Sequence, residues 1–381
     1  MRLGEALESA VVFSSGLLLA SIYIVRTILP FLTEELGGSS VDISRVLYIS
    51  FVVMALISPL AGLISDRIGA SRLLVVSSVA ASLVVLMYPL TSSVSELLMV
   101  RFLHAVFAEL ALAAGLTLAS RVTSSGRVGV GLLRASQGLG IALGPVLALI
   151  LMSSGYGAAF LAASILSLTP LLALLYEEGG VRKTSLGDSI VHFLHLVRSK
   201  RLQSLVLLAL SEALGFSIVV TYFVSHMVSL GLTEEGYAFF LTVDALSFSL
   251  AGYPSERLFR RFGLKFTLAA GMGLGMTFLV LALFPFPSTF VAAAPIIGVL
   301  GSFTLNPAYI EVSDLAVDGS RGFTVNSLDL LVNLSFLTLP PLELIFDTLG
   351  PSALMAIPLI PLVTSILLMI ATGSGDQYRD H

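Results

Sequence analysis

The chain has 381 residues, 56% of them hydrophobic and 12% charged, with a net charge of −4 and no cysteine. That charged share is about half the ~25% of a soluble domain, and a mean hydropathy of +0.99 exceeds what a water-soluble core requires, so lipid is the expected solvent. The missing cysteines exclude disulfides, thiolate metal sites and cysteine nucleophiles.

A crossing helix needs about 20 apolar residues. Twelve such segments are predicted, near 10–32, 43–64, 73–90, 96–120, 128–152, 157–176, 204–230, 236–256, 266–284, 288–311, 323–346 and 351–372. Their long continuous apolar runs favour helices over the short alternating strands of a barrel. The first run carries Arg26 and is too long for a cleavable signal peptide, so none is expected. The second stops within "AGLISDRIGASR", residues 61–72, which groups Gly62, Asp66, Arg67, Gly69 and Arg72. In the fourth, "RFLHAVFAE" holds Arg101, His104 and Glu109. The fifth, "RVGVGLLRASQGLGIALGP" at 127–145, holds Arg134 and Gln137, and sets Gly140, Gly144 and Pro145 on one face, where they permit tight packing and a bend.

Hydropathy breaks once, at 177–203. The predicted organisation is therefore a six-segment half over 1–176, a cytoplasmic linker over 177–203 and a second six-segment half over 204–381. Within the linker, Ile190, Val191, Phe193, Leu194 and Val197 form the apolar stripe of an interfacial helix flanked by basic residues; a plain tether is the alternative. The second half repeats the first. "LAGLISDR" at 60–67 returns as "LAGYPSER" at 250–257, aligning Gly252, Glu256 and Arg257 with Gly62, Asp66 and Arg67. "LTEE" occurs at 32–35 and again at 232–235, in the first outer loop of each half.

With the N-terminus placed in the cytoplasm, 16 of the 20 Lys and Arg fall on the inner side, from Arg2 to Arg379, and the outer loops hold none. Arg26, Arg45, Arg101 and Arg134 lie inside segments. This is the positive-inside pattern of a multi-pass protein of the cell membrane, with both termini cytoplasmic.

These features resemble the major facilitator superfamily of secondary transporters over nearly the full length. The stretch from Gly62 to Arg72 is similar to the family's motif between the second and third helices, with Ala70 and Ser71 where basic residues usually follow the second glycine. The Gly140–Gly144–Pro145 pattern resembles the fifth helix of exchangers and exporters, and Arg101 matches an arginine of the fourth helix in proton-driven members. The resemblance implies a bundle whose third, sixth, ninth and twelfth helices face lipid. Those four segments contain no charged residue in their interiors. It also implies a cytoplasmic gate. Asp66 and Glu256 are the candidate latch carboxylates, Asp66 able to accept from a helix N-terminus or from an arginine at the cytoplasmic face, with Gly62 and Gly252 letting backbones approach; a plain helix end is the alternative reading for Asp66 and Arg67.

A charge at mid-membrane costs roughly 2.5–3.5 kcal/mol on insertion scales, so each needs a reason. Arg26, Arg101 and Asp244 fall in the outer part, and Glu109, Arg134, Glu212 and Asp329 in the middle to inner part. Gln137, Asn306 and Asn333 add neutral hydrogen-bonding groups. Arg101 and Glu109 are eight residues apart, about 12 Å along one helix, and cannot pair. Arg134 is the better partner for Glu109 or Asp329. Three arginines against four carboxylates leave one acid to titrate. Static interhelical pairs are the alternative reading for any single residue.

No phosphate-binding loop, zinc-protease motif or basic nucleic-acid domain is present in the sequence. The expectation is a twelve-helix all-α transporter working by alternating access, not an enzyme, without cofactor or metal, and monomeric. Its partners would be a small-molecule substrate, protons and the bilayer. Proton-coupled export of a small organic solute is the expected activity. The rivals are proton-coupled uptake of a solute, an anionic one suiting Arg26 and Arg101, and a non-transporting receptor or scaffold.

Overall fold

A computed structural model describes residues 3–176, 185–223, 226–227, 230–337, 348 and 350–372. Of the sequence features above, Arg2, Arg182, Lys183, Arg379, linker residues 177–184 and residues 338–346 of the eleventh segment lie outside the described residues.

The helices are α1 (Leu3–Glu35), α2 (Ser40–Ile68), α3 (Ala70–Val85), α4 (Val94–Ser124), α5 (Val130–Met152), α6 (Tyr156–Ser167), α7 (Leu186–Val197), α8 (Lys200–Ile218), α9 (Glu234–Phe262), α10 (Leu264–Leu283), α11 (Pro287–Leu315), α12 (Arg321–Leu337), α13 (Pro351–Leu354) and α14 (Leu359–Thr372). Among the described residues, nine are long and apolar enough to cross a bilayer. With α9, α12 and the α13–α14 pair, they make the all-α membrane fold of twelve crossing segments in two six-helix bundles.

The predicted boundaries shift for local reasons, of which three are clear. α1 runs several residues past its apolar stretch at both ends, as a helix of 33 residues extends about 50 Å, well beyond the ~30 Å hydrocarbon layer. The sixth segment tightens into a 3₁₀ turn at Thr169–Leu175, with Pro170 at its start. The twelfth breaks before Pro358, between α13 and α14, since the residue ahead of a proline is pushed out of helical geometry. α2 starts on a capping box: the Ser39 hydroxyl accepts from the Asp42 amide, and the Ser39 amide donates to Asp42 Oδ2 at 2.9 Å. These bonds to Ser39 hold the Asp42 carboxyl below its usual range.

In the first bundle α1 packs on α4, α5 and α6, and α4 on α2 and α3. In the second, α8 packs on α11, α12 and α14, and α11 on α9 and α10. Between the bundles, α2 crosses α12 and α5 crosses α9. Each half therefore lends its second helix to the fifth helix of the other. α3, α6, α10 and α14 turn rows of leucine, isoleucine, valine and methionine outward; Leu83, Ile165, Met276 and Ile370 are all at least 60% exposed.

Three apolar cores set the shape. One, at the face bearing the α2–α3 turn, is shared by both halves and joins Leu118 and Val122 of α4 to Leu205 of α8, Ile310 of α11 and Val325 of α12. At the opposite ends the halves keep separate cores, around Ile28, Tyr88 and Phe160 in one and around Phe223, Phe278 and Phe290 in the other. The bundles are thus welded at one face, here termed the basic face, and parted toward the other.

Glycine makes the weld possible. A Cβ on Gly62 would strike the Gly322 carbonyl, and one on Gly131 would lie 2.5 Å from the Gly252 carbonyl. Both inter-bundle crossings are thus glycine against glycine. The repeat is also visible in the turns that follow: Gly69 (φ +97°) joins α2 to α3 and Gly263 (φ +62°) joins α9 to α10, both in left-handed geometry that glycine tolerates best.

Gly62→Val should force α2 away from α12. Overpacking of this kind costs about 1–3 kcal/mol. Spin labels on Arg67→Cys and Val317→Cys should then report a longer-distance population. Gly157→Ala, where the added methyl meets open space, should leave the distribution unchanged.

Candidate functional site

At the basic face, two carboxylates close helix ends across the lobe boundary. Asp66, near the end of α2, accepts from the Gly322 and Phe323 amides, both at 2.8 Å, in the first turn of α12. Glu256, in the last turns of α9, accepts on one oxygen from the Gly129 amide at 3.2 Å and the Gly131 amide at 2.9 Å, where α5 begins. Both carboxylates are buried. First-turn amides have no partner inside their own helix, and the helix dipole favours negative charge there. Arg260 reinforces the second latch. It lies 3.6 Å from Glu256, pairs with Asp314 at 3.1 Å and donates to the Thr123 carbonyl on α4 at 2.6 Å.

The latch thus unites Gly62, Asp66, Gly252 and Glu256, while Gly69 shapes the turn. Arg67, Arg72 and Arg257 stand exposed beside it, with Arg257 donating to the Tyr253 hydroxyl at 2.7 Å. A helix N-terminus is among the partners expected for the latch carboxylate, but which amides Asp66 and Glu256 engage was not read from the sequence. Their signal was available as an internal echo: Gly322 follows Arg321 and Gly129 lies two residues after Arg127, each opening a fifth helix.

The middle layer holds a polar spine that crosses from one lobe to the other. Asp329 on α12 is its hub. Its carboxylate accepts from Tyr309 at 2.7 Å and Asn333 at 2.8 Å, and lies 3.6 Å from Arg134 on α5. Ser58 of α2 donates to it at 3.4 Å. Arg134 in turn donates to Gln137 at 2.9 Å and sits over the Tyr309 ring at 4.3 Å. Glu109, buried on α4, faces Ser58, Asp329 and Arg134. Glu212, buried on α8, lies within electrostatic reach of Arg134 and of Asp244 on α9. One oxygen of Asp244 is buried with no hydrogen-bond partner among the described residues. Asn326, just below, ties α12 to α4 through the Ala113 carbonyl and Thr117 hydroxyl.

The two outer arginines leave this group. Arg101 turns into the first bundle toward His104, whose other neighbour is the Tyr88 hydroxyl. Arg26 lies against the rings of Phe51 at 4.9 Å and Tyr23 at 5.6 Å. Three arginines sharing four carboxylates was the sequence expectation. In the structure, among the described residues, Arg134 alone serves Glu109, Asp329 and Glu212, and Asp244 lies beside Glu212 without it. Asn306 also stands aside, donating to Ser255 and Ser302 between α9 and α11. Gly140 and Gly144 bring α5 onto α1 at Ala20 and Tyr23, and Pro145 lies inside α5. Ser58, Tyr309 and Asn326 joined the spine without a sequence signal, because hydroxyls and amides are ordinary in membrane helices.

Two lobes latched through helix ends around a polar midplane are the architecture of an alternating-access transporter. The chain belongs to the Major Facilitator Superfamily, whose family model matches residues 11–310. Its fold is that of the human organic anion transporter MFSD10 (TETRAN), with a TM-score of 0.79 and 14% identity, covering 97% of this chain and 100% of that one. The transporter FucP in its outward conformation is similar too, with a TM-score of 0.78 and 12% identity over 97% and 98% of the two chains. No curated relative matches by sequence. The protein is a multi-pass membrane protein and a secondary transporter of small molecules.

Asp66→Asn or Glu256→Gln removes a charge from a helix N-terminus, worth about 0.3–1 kcal/mol at exposed sites and up to ~2 when partly buried. Each should speed alkylation of Ser58→Cys by a reagent applied from the basic face, and the double variant should exceed either.

Proposed function

We propose that this transporter exports a small organic solute in exchange for protons, with the basic face in the cytoplasm. The supporting observation is the spine: three carboxylates on α4, α8 and α12 gathered about one guanidinium, with Asp244 of α9 within reach of one of them, Glu212. Unpaired carboxylates are costly away from water. An incoming proton relieves that cost, and so does a bound solute with a complementary group. The two can then replace each other, which is what exchange requires. The pair of Arg134 on α5 and Asp329 on α12 joins the lobes, so protonating Asp329 would slacken a contact that holds them together. The positive-inside distribution supports the sidedness. In this reading the parted cores open to the outside, and rocking breaks the Asp66 and Glu256 latches to open the inside.

Arg26 favours a second reading, proton-coupled uptake of an anionic solute. Its guanidinium faces two rings and has no carboxylate partner among the described residues. The organic-anion substrates named for the human fold relative agree with such a site, although at 14% identity the likeness is one of fold.

Proteoliposomes carrying an internal pH dye separate the two. Compounds first selected by thermal shift would be added outside against an imposed proton gradient. In an exchanger protons leave as the compound enters; in a symporter both enter together. Asp329→Asn should cut compound-driven proton movement roughly tenfold or more, the factor given by about 1.4 kcal/mol. Unaltered proton movement in that variant would overturn the coupling role of Asp329.

A further inference from the structure

The linker helix α7 carries three distinct faces. Toward the bundle it buries Ser189 and half-buries Phe193 and Leu196. The Phe193 ring meets the Phe323 ring edge-on, with centroids 6.5 Å apart at 88°. A second face is polar and bears Asp188, which receives the Ser185 hydroxyl at 2.6 Å, and exposed His195. The third is apolar and uncovered. Leu186, Ile190 and Leu194 recur every fourth residue, with Val191 beside them, and they are 40, 39, 55 and 67% exposed respectively. Residues at that spacing form one continuous stripe.

The surroundings identify what covers the stripe. α7 ends at Val197 and the crossing helix α8 begins at Lys200, while Gln203 of α8 donates to the Val197 carbonyl at 2.9 Å. The stripe therefore lies at the edge of the hydrocarbon layer. Exposed Arg198 and Lys200 stand at its end. A short helix with an apolar face and adjoining cations suits the headgroup region of an anionic bilayer, where each basic residue contributes about 1 kcal/mol. A second strand of evidence concerns Phe323. Its ring receives Phe193, and its amide donates to Asp66 at 2.8 Å. One residue thus touches both the linker helix and the latch.

We propose that α7 is a strut bound to anionic lipid headgroups, which props Phe323 and so holds the α2–α12 latch shut. The bilayer grips the stripe and the Arg198–Lys200 pair. Phe193 carries that grip to the first turn of α12, where the Asp66 contact is made. Anionic lipid then biases the transporter toward the state closed at the basic face. The inference rests on the latch geometry and is independent of the coupling ion, the solute and the direction of transport.

The test uses the full chain in nanodiscs of pure phosphatidylcholine, or of equal parts phosphatidylcholine and phosphatidylglycerol. Hydrogen exchange over 186–197 reports the strut, and spin labels on Arg67→Cys and Val317→Cys report the latch. With phosphatidylglycerol, exchange in α7 should be about tenfold slower than in phosphatidylcholine, given two cations at the surface, and the latch distance should narrow. Val191→Glu with Leu194→Glu, both on the exposed stripe, should abolish the slowing and broaden the distance. Arg198→Glu with Lys200→Glu should do the same only in the anionic discs. Phe193→Ala should keep α7 protected while broadening the latch, which separates anchoring from transmission. Equal exchange in both lipids would overturn the lipid assignment. Release of α7 with an unchanged latch distance would overturn the strut. Protection that follows two protomers per disc, whatever the lipid, would assign the stripe to a second copy and overturn the proposal as well. A failed proton-flux assay alters none of these readings.

Discussion

The closure of this molecule depends on a carboxylate meeting the start of a helix in another lobe. Away from water, the leading amides of α12 and α5 have no solvent to turn to, and a buried Asp66 or Glu256 needs donors just as much. Each deficiency satisfies the other. The bonds form only if α2 reaches α12 and α9 reaches α5 at backbone distance, and the paired glycines Gly62–Gly322 and Gly131–Gly252 allow this. The shared core of the basic face then fills in around the crossings. Moving either helix by a side-chain width would remove the packing and the hydrogen bonds together. The contact is therefore suited to two discrete states, bonded or open, with little between them.

The same scarcity of donors governs the midplane. Because Arg101 and Arg26 are engaged elsewhere, Arg134 is the one guanidinium that Asp329, Glu109 and Glu212 have in common. Its position over Tyr309, which itself donates to Asp329, makes the cluster a unit: a change of charge at Asp329 acts on the phenol, the guanidinium and Gln137 at once. The cluster includes α2, α4 and α5 from one bundle and α8, α11 and α12 from the other. Charge here is thereby coupled to how the bundles sit against each other.

Much of this could be read from the chain alone. Length and hydropathy define the crossing segments, and the repeat of "LAGLISDR" as "LAGYPSER" marks the two latch positions before any coordinate is known. The apolar stripe of the linker is legible only in part: Ile190, Val191 and Leu194 are exposed, but Phe193 turns onto Phe323 and Leu186 extends the exposed row instead. What could not be read was direction. Arg101 lies at the depth of Arg26, yet its side chain turns toward Tyr88 and His104, because helix rotation is set by packing among α3, α4 and α6 and leaves no trace in a polarity count. Arg67 and Arg72 suffer the same ambiguity: they belong to the motif by sequence and to the solvent by geometry. Main-chain amides such as those of Gly322 and Phe323 are carried by every residue, so nothing in composition distinguishes the ones that bind.

The internal repeat is imperfect in a way that bears on how the lobes separate. Gly62 precedes its turn glycine, Gly69, by seven residues, whereas Gly252 precedes Gly263 by eleven. The four extra residues add one helical turn to α9, and that turn carries Arg260. Through it Glu256 is joined to Asp314 on α11 and to the Thr123 carbonyl on α4, so the α5–α9 closure is braced within its own lobe and across the boundary. Asp66 ends one turn short of such an extension. Arg121 and Arg321 lie near enough to act on it, but Arg321 is already committed to Asp318 and the Ser313 carbonyl. Among the described residues, the direct hydrogen bonds to Asp66 come from two main-chain amides. The α2–α12 closure is therefore the one with room for reinforcement from outside the bundle, and it is the side against which α7 leans.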